Sequence, residues 1–197
     1  LRSANPACFG AYIRLADDQY ILSLSPERLL RWDSSGHVET VPIKGTRPRG
    51  GTPEDDLSLQ EELLKSTKDR AEHMMIVDLE RNDLGRVCVP GSIEVTELRT
   101  VKSYPTVHHL VSTIRGQLRD DVEFKDLMQA MFPGGSITGA PKVRAMEVIQ
   151  HLEGEPRHFY CGAIGFLDPV KGGDLNIPIR TAWVEDHTLR YHAGGGI

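Results

Sequence analysis

The chain has 197 residues, of which 39% are hydrophobic and 26% are charged, and its formal net charge is −5. These values are typical of a soluble globular protein with one substantial domain or two small ones. The acidic balance, without a long run of lysine or arginine, argues against binding to nucleic acid. No apolar run approaches the ~20 residues of a membrane-spanning helix, so we expect no membrane association.

The three cysteines bear on the cellular compartment. Cys8, Cys88 and Cys161 are far apart, odd in number and not spaced like metal ligands. Such cysteines are typical of reduced, mostly buried thiols in a reducing compartment. Nothing at the start of the chain resembles a signal peptide. The sequence therefore predicts a cytoplasmic protein.

The first half of the chain is predicted to contain strands followed by a long helical segment. Apolar and polar side chains alternate over 10–16 and 20–25, which predicts a β-hairpin. Residues 37–43 predict another strand, and the Gly- and Pro-rich stretch 45–56 predicts a loop. The acidic residues after Pro53 suit a helix N-terminus, and helix, continuous or interrupted, is expected through "LERNDLG".

The second half returns to strands within 91–118, where Val, Ile and Thr are abundant. Two amphipathic helices are predicted, at 122–132 and from Pro141 to Leu152. Their inward-facing residues are expected to be Phe124, Leu127, Met128 and Met131 in the first, and Val143, Met146, Ile149 and Leu152 in the second. Strand-like runs follow at 159–167, 175–184 and 188–195. Strands that meander around inserted helices predict an α+β fold.

The stretch "FPGGSITGAPK" contains the most unusual glycine pattern. Gly134 to Gly139 fits the first half of a phosphate-binding P-loop, but Ala140 stands where that motif requires lysine. A nucleotide-phosphate loop is therefore rejected. Two interpretations remain open: an anion site formed by free backbone N–H groups before the Pro141 helix, or a tight loop that simply needs glycine.

Asp69 and Glu72 are three residues apart on the predicted helix and therefore share a face. Two carboxylates placed together suit Mg²⁺, which prefers oxygen ligands and keeps several waters. The alternative is a solvated acidic face, which is common on helices.

Glu27 and Lys44 form a candidate acid and nucleophile pair. Glu27 follows a strand and a proline, and Lys44 follows the strand "HVETVPI". A carboxylic acid near an amine can protonate a leaving group while the amine attacks, provided that burial tunes both groups. Taken singly, the glutamate reads as a turn residue and the lysine as a solvated surface cation.

Three further side chains stand out in predicted strands. His108 and His109 are adjacent, so they point to opposite faces and cannot ligate one ion together without distortion. Arg180 lies inside the apolar run "NIPIRTAW", where an arginine needs an anionic partner. That partner is a protein carboxylate or the carboxylate of a ligand.

Eight stretches, in order, carry a resemblance to a known family. They are "SPERLL", "PIKGTRPRG", "KDRAEHMMIVDLERNDLGRV", "VHHLVSTI", "FPGGSITGAPKVRAMEVI", "YCGAIGFL", "IRT" and "AGGGI". Together they resemble the chorismate-utilising enzymes, which include anthranilate, aminodeoxychorismate, isochorismate and salicylate synthases. The resemblance implies an α+β fold with two orthogonally packed, largely antiparallel β-sheets flanked by helices.

The match runs nearly end to end, so residues 1–197 are expected to form one chorismate-binding catalytic domain. We expect that domain to be incomplete at both ends, because the chain lacks an initiator Met and stops directly after a glycine cluster. The family's second acidic metal pair would lie beyond that cluster.

Lys44 directs the resemblance toward one branch of the family. Anthranilate synthases usually read Pro-Ile-Ala-Gly-Thr here, whereas aminodeoxychorismate synthase large subunits commonly read Pro-Ile-Lys-Gly-Thr, as this chain does. This similarity implies amination of chorismate at C4. The alternatives are C2 amination with pyruvate elimination, as in anthranilate synthase component I, then isochorismate or salicylate synthesis, and a non-catalytic module.

The resemblance also implies roles for individual residues. Lys44 attacks C2 of the ring while Glu27 protonates the departing 4-hydroxyl, and ammonia then enters at C4. His109 matches a histidine associated with pyruvate elimination in anthranilate synthases. Mg²⁺ is expected on Glu72, the stronger candidate, with Asp69. The implied substrate-binding positions are Gly45, Thr46, Thr138, Tyr160, Arg180, Gly194, Gly195 and Gly196.

The resemblance implies one protein partner. The chain shows no recognisable glutaminase residues, so a separate glutamine amidotransferase subunit is expected to supply ammonia. The expected small-molecule partner is chorismate.

Overall fold

The structure is a computed structural model that describes Ser3 and residues 6–195. In chain order its strands are β1 (Phe9–Ala16), β2 (Gln19–Ser25), β3 (Arg28–Asp33), β4 (His37–Val41), β5 (Ile43–Pro48), β6 (Glu94–Ser103), β7 (Val107–Gln117), β8 (Ile164–Asp168), β9 (Gly172–Asn176), β10 (Thr181–Glu185) and β11 (Thr188–Tyr191). Its α-helices are α1 (Pro53–Lys65), α2 (Thr67–Gly85), α3 (Phe124–Met131) and α4 (Lys142–Leu152). A short 3₁₀ turn covers Gly135–Ile137. The predicted α+β fold with two antiparallel sheets and flanking helices is confirmed.

The smaller sheet has the strand order β1-β2-β10-β11. The predicted hairpin is confirmed, since β1 pairs antiparallel with β2 from Phe9–Ser25 to Ala16–Gln19. Alternate residues of β2, namely Ile21, Ser23 and Ser25, are buried. This period of two is the pattern from which the strand was predicted.

The larger sheet is built around β7. The strand order is β5-β7-β4-β3-β9-β8, and β6 also pairs with β7. One edge of β7 pairs with β4 and then β5, while the other edge pairs with β6. Residues 108–114 are all buried, so this strand lies inside the protein along most of its length.

Three irregularities interrupt the pairing of β7 with its neighbours, and two of them lie close together near the middle of the strand. In β5, Lys44 and Gly45 lie between the pairs Ile43–Val111 and Thr46–His109, so two residues oppose one. In β6, residues 98–99 lie between the pairs Glu97–Thr113 and Thr100–Val111. Both are bulges, which bend a strand and re-aim its side chains.

Helices α1 and α2 meet at Ser66, where the predicted helical segment is interrupted. Thr52 Oγ1 accepts the N–H of Asp55 at 3.2 Å and caps α1. Ser66 Oγ accepts the N–H of Asp69, also at 3.2 Å, and caps α2. A side-chain cap satisfies an N–H that the first helical turn leaves free, so each helix has its own start signal.

The hydrophobic core lies between the larger sheet and the helices α2 and α3. Its members share near-complete burial, and they include Leu29, Leu30, Val38, Val77, Leu84, Ile114, Leu127, Met131 and Ile177. The inward prediction for α3 is confirmed at Leu127 and Met131 but wrong at Phe124, which is 44% exposed. Phe124 is the first residue of α3, and its ring packs against Trp32 at the edge of the core.

Two further expectations are wrong. The loop predicted at 45–56 begins only after Pro48, because Thr46, Arg47 and Pro48 pair with β7 despite the glycine and prolines. The inward face predicted for α4 is also wrong, since Val143 is 71% exposed and Leu152 is 73% exposed. The period of a helix defines an apolar stripe, but it does not say whether another element covers it.

No helix in the described part of the chain is long and apolar enough to cross a membrane.

The core predicts the effect of one substitution. Leu30 is fully buried at 0% exposure, so Leu30→Ala should lower the free energy of unfolding by about 2–5 kcal/mol, through lost contacts and a residual cavity. Chemical denaturation measures this. The matched change Leu189→Ala, at a residue 63% exposed, should cost less than about 0.5 kcal/mol. Equal losses at the two sites would contradict the placement of the core.

Candidate active site

The chain passes between the two sheets at two adjacent crossovers. Glu27 lies in the first, between β2 and β3, and Arg180 lies in the second, between β9 and β10. The crossovers are hydrogen-bonded: Ile177 N–H donates to the Glu27 carbonyl at 3.1 Å, and Leu24 N–H donates to the Arg180 carbonyl, also at 3.1 Å. Ser25 Oγ donates to the Ile177 carbonyl at 2.5 Å. Two predicted site residues, far apart in sequence, therefore lie at one junction.

Glu27 is a buried acid, only 3% exposed. Its Oε1 accepts the N–H of Ile43 at 3.2 Å. Burial raises the pKa of Glu27 to about 7, against the opposing effects of the Ser136 hydroxyl, the Ile43 amide and the Lys44 charge. A large fraction of this carboxyl group therefore carries a proton near neutral pH, as a general acid requires.

Lys44 lies on the β5 bulge, close enough to Glu27 for its charge to affect that carboxyl group. Its side chain is half-buried, and it forms no ion pair within 4.0 Å among the described residues. Gly45, next in the bulge, has φ +91, a conformation that favours glycine. A Cβ at Gly45 would lie 2.9 Å from Leu63 Cδ1, so space also restricts this position.

His109 lies beside the bulge and is 4% exposed. Its Nδ1 is 2.9 Å from Thr46 Oγ1, whereas its buried Nε2 has no partner among the described residues. Burial and the nearby Arg180 charge lower the pKa of His109 to about 4, so the ring is neutral at physiological pH. The sequence-predicted residues Glu27, Lys44, Thr46, His109 and Arg180 are thus brought together.

Ser136 is a site residue that the sequence analysis missed. Its Oγ lies next to Glu27 without hydrogen-bond geometry, and it is buried with no partner in the described part of the chain. Buried polar atoms are normally paired, so the free Ser136 Oγ and His109 Nε2 indicate a polar ligand. Thr138, the hydroxyl predicted from this loop, instead donates to the Gly134 carbonyl at 2.9 Å.

The predicted metal ligands lie on α2 but differ in their contacts. Asp69 accepts a hydrogen bond from Arg47 Nη2 at 3.0 Å. Its Cβ would lie 3.3 Å from a Cβ placed on Gly45, so it packs close to the β5 bulge. Glu72 is 3.6 Å from Lys68 Nζ and has no closer cationic partner in the described residues. No group of three or more His, Cys, Asp or Glu side chains suited to a metal ion occurs in the described ranges.

Tyr160 and Gly194, two of the predicted substrate-binding residues, lie against each other. Burial raises the pKa of Tyr160 to about 12. A Cβ on Gly194 would lie 2.9 Å from the Tyr160 hydroxyl oxygen, so only glycine lets the backbone approach it this closely. Around Gly195 a Cβ would meet no atom within 4 Å. Gly196 lies outside the described residues.

Two further buried polar pairs, also missed from the sequence, join α2 to β4 and to the start of α4. Glu80 is 3% exposed and accepts the Thr40 hydroxyl at 2.7 Å, and burial raises its pKa to about 8. Lys142 Nζ lies 2.5 Å from Asp83 Oδ2. The sequence signal that could have revealed these acids is the three-residue spacing of Glu80 and Asp83, which places both on one helix face.

A separate cavity of about 520 Å³ contains none of the predicted site residues. It is lined by alternate residues of β4 and β7, such as Glu39 and Thr113, which face away from the helices. Its charged side chains are already paired, with Arg28 to Glu39 at 2.8 Å and Lys102 to Glu97 at 2.9 Å. The candidate site is therefore identified by its chemistry and not by this cavity.

Comparison with known proteins identifies a family that matches over the whole chain. A family model described as chorismate binding enzyme matches residues 1–197. Aminodeoxychorismate synthase component 1 of Salmonella typhimurium is 53% identical over 197 residues, which are 100% of this chain and 43% of the relative. Anthranilate synthase component 1 of Saccharolobus solfataricus is 46% identical over the whole chain and 46% of that relative.

The fold also matches a solved structure. Anthranilate synthase component I from Streptococcus pneumoniae superposes with a TM-score of 0.86 at 38% identity, covering 96% of this chain and 41% of that one. The chain thus spans less than half the length of the curated relatives named above. Because the family model covers all 197 residues, the chain belongs to the chorismate-binding enzyme family.

Proposed function

We propose that the complete protein aminates chorismate at C4 and forms 4-amino-4-deoxychorismate. The observation that carries this proposal is Lys44 itself, which lies on a bulge beside the buried acid Glu27 and has no ion-pair partner in the described part of the chain. Identity supports it, since the Salmonella aminodeoxychorismate synthase component 1 is 53% identical and the archaeal anthranilate synthase component 1 is 46% identical.

The first chemical step joins the lysine to the ring. The neutral Lys44 amine forms a bond to C2, two ring double bonds shift, and the C4–O bond breaks. Glu27 gives its proton to the departing hydroxyl, which leaves as water. The products of this step are a lysine–ring adduct and the Glu27 carboxylate, held beside the cation that has formed on the lysine nitrogen.

The second step replaces the lysine with ammonia. Ammonia forms a bond to C4, the double bonds shift back, and the C2–N bond to Lys44 breaks, which restores the neutral amine. The new C4 ammonium then returns a proton to Glu27. Over the whole cycle an amino group replaces the C4 hydroxyl group, water is released, and both protein groups recover their starting forms.

Substrate binding is assigned to groups around this pair. Arg180 and the backbone near Gly194, beside the Tyr160 hydroxyl, suit the enolpyruvyl carboxylate, because cations and free N–H groups stabilise carboxylates. Among the described residues, the unpaired atoms His109 Nε2 and Ser136 Oγ offer further polar contacts to the ring substituents. Gly45, Thr46, Thr138, Gly195 and Gly196 remain proposed substrate positions.

Mg²⁺ is proposed to bind Glu72 first, because its carboxylate is the freer of the two acids on this face of α2. Asp69 can join only if its contact with Arg47 loosens. Carboxylate oxygens fit the preference of Mg²⁺, and two protein ligands leave room for water and substrate. A Mg²⁺ ion held there would supply positive charge beside the ring carboxylate of chorismate.

A glutamine amidotransferase subunit is the proposed source of ammonia. The relatives named component 1 support a multi-subunit enzyme. The spacing and number of the cysteines further support a cytoplasmic location for this assembly.

Lys44→Ala tests the central assignment. In the complete protein supplied with chorismate, Mg²⁺ and an ammonium salt, 4-amino-4-deoxychorismate formation should fall at least about 1,000-fold, because the covalent route is lost. Chromatography of the products measures the loss. Lys65→Ala, at a side chain 76% exposed, removes the same charge and should retain full activity. Unchanged turnover in Lys44→Ala, or fluorescent anthranilate from the wild type, would contradict C4 amination through this lysine.

The pKa of Glu27 predicts the pH dependence of the reaction. The acid form is required and burial raises the pKa of this carboxyl group to about 7, so kcat/KM should fall as pH rises above that value. Glu27→Gln cannot donate the proton, and its activity should fall by about 10²–10⁴-fold. The decrease of kcat/KM near pH 7 should also be absent from the pH–rate profile of this variant. A pH–rate profile of both proteins measures this.

Unfolding provides an independent check on Glu27. Because its folded pKa lies above the ordinary 4.5, its contribution to stability is present below pH 4.5 and is lost as pH rises through about 7. Glu27→Gln should therefore match the wild type at pH 4 and exceed it by up to about 3 kcal/mol at pH 8.5. A difference of opposite sign would mean that Glu27 is a paired carboxylate at neutral pH.

Glu72→Gln tests the metal assignment. Loss of one anionic ligand should raise the half-saturating Mg²⁺ concentration by about 10–100-fold, measured by titrating activity with Mg²⁺ and by calorimetric binding of Mg²⁺. Asp78→Asn lies on the same helix, at a side chain 63% exposed, and provides the matched control. An unchanged Mg²⁺ requirement in Glu72→Gln would remove this residue from the metal site.

A further inference from the structure

Two of the bulges in the larger sheet flank one short part of β7. The β5 bulge at Lys44 and Gly45 lies opposite Leu110, and the β6 bulge at Arg99 lies opposite Ser112. Bulged residues lack a regular partner in the ladder, so their backbone groups need hydrogen bonds from elsewhere. Here a serine and a histidine supply them.

A continuous hydrogen-bond path joins the two bulges. The Arg99 N–H donates to Ser112 Oγ at 3.0 Å. Ser112 Oγ is 2.6 Å from His73 Nε2, and His73 Nδ1 is 3.3 Å from the Lys44 carbonyl oxygen. His73 is fully buried at 0% exposure, and it belongs to α2, so the path also ties that helix to the sheet.

The direction of the last hydrogen bond is fixed by chemistry. A carbonyl oxygen only accepts, so His73 Nδ1 must carry the hydrogen that points at Lys44. This holds for the neutral ring and for the charged ring alike. In the neutral ring Nε2 accepts, and the Ser112 hydroxyl is the donor that holds the ring in this orientation.

We propose that His73 is a positioning residue, which holds the Lys44 carbonyl and thereby fixes the direction in which the Lys44 amine points. This inference rests on the proposed function, since it assigns His73 to the step in which Lys44 attacks the ring.

The local backbone explains why such a contact is needed. Gly45 has φ +91, and its lack of a side chain lets the Lys44–Gly45 peptide adopt more than one orientation. The bulge removes the strand partner that fixes a regular peptide. An error of about 1 Å in the placement of a reacting group can lower a rate by about 10²-fold. A buried donor aimed at this one carbonyl restricts the peptide to a single orientation.

Two amide substitutions separate positioning from packing. In His73→Asn the amide N–H₂ takes the place of Nδ1 and can still donate to Lys44, whereas in His73→Gln it takes the place of Nε2 beside Ser112. His73→Leu keeps the volume and removes both contacts. In the complete protein, kcat should fall by about 100-fold in His73→Leu and His73→Gln, with the KM for chorismate changed less than about threefold.

His73→Asn should recover kcat to within about tenfold of the wild type. Rapid-quench mass spectrometry without ammonia provides a direct readout, because the adduct adds the mass of chorismate less one water to the protein. The rate of adduct formation should fall in the same ratio as kcat. A residue with only a structural role would lower the folded fraction without this separation of kcat from KM.

Controls make every outcome informative. His108→Asn changes another histidine at 0% exposure, one that contacts Asp56 and Ser103 instead of Lys44, and it should lower stability while kcat per folded molecule stays unchanged. If His73→Leu does not fold, the two single variants Ser112→Ala and His73→Asn test the same path. Ser112→Ala should lower kcat because the His73 ring loses the hydrogen bond that holds it in place.

The two proposals fail in different ways. If Lys44→Ala retains turnover, the proposed function is wrong. If Lys44→Ala is inactive while folded His73→Leu or His73→Gln keeps the wild-type kcat, the positioning role alone is wrong. Equal activity of His73→Asn and His73→Gln would also overturn it.

Discussion

Strand β7 is the constraint on which the rest of the structure depends. It pairs with β4 and β5 along one edge and with β6 along the other, and residues 108–114 are buried. A buried central strand fixes the register of each neighbour, because a slip of one residue would exchange the core face and the solvent face. The register in turn places each bulge, and the β5 bulge places Lys44. The fold therefore fixes the position of the β5 bulge.

Burial gives the candidate site its chemical properties. The same low-polarity surroundings raise the pKa of the acid Glu27 and lower the pKa of His109, so both groups favour their neutral forms near pH 7. The neutral forms of these two groups suit proton transfer and hydrogen bonding to a ligand. The core between the larger sheet and the helices α2 and α3 provides the stability that lets such groups remain buried.

Local signals were predicted well, and contacts between distant segments were not. The hairpin follows from alternation, which acts within a few positions. A helical segment, continuous or interrupted, was also expected, and the structure places the interruption at Ser66, whose side chain caps α2. The inward face predicted for α4 was wrong because most of its apolar stripe is left uncovered, as the exposure of Val143, Met146 and Leu152 shows. Ser136 was missed because its loop offers two hydroxyls, and only the fold shows that the other, Thr138, closes the turn.

The sequence by itself determined the family and most of the candidate chemistry, because motifs such as "PIKGTRPRG" and "FPGGSITGAPK" are local strings that carry the reactive side chains. The tertiary structure decided which groups meet. Glu27 and Ile177 are joined across the crossovers, and the Lys44 carbonyl is reached by His73 on α2. Such contacts depend on strand register and helix packing over long sequence separations, and a hydrogen bond tolerates errors of only a few tenths of an ångström.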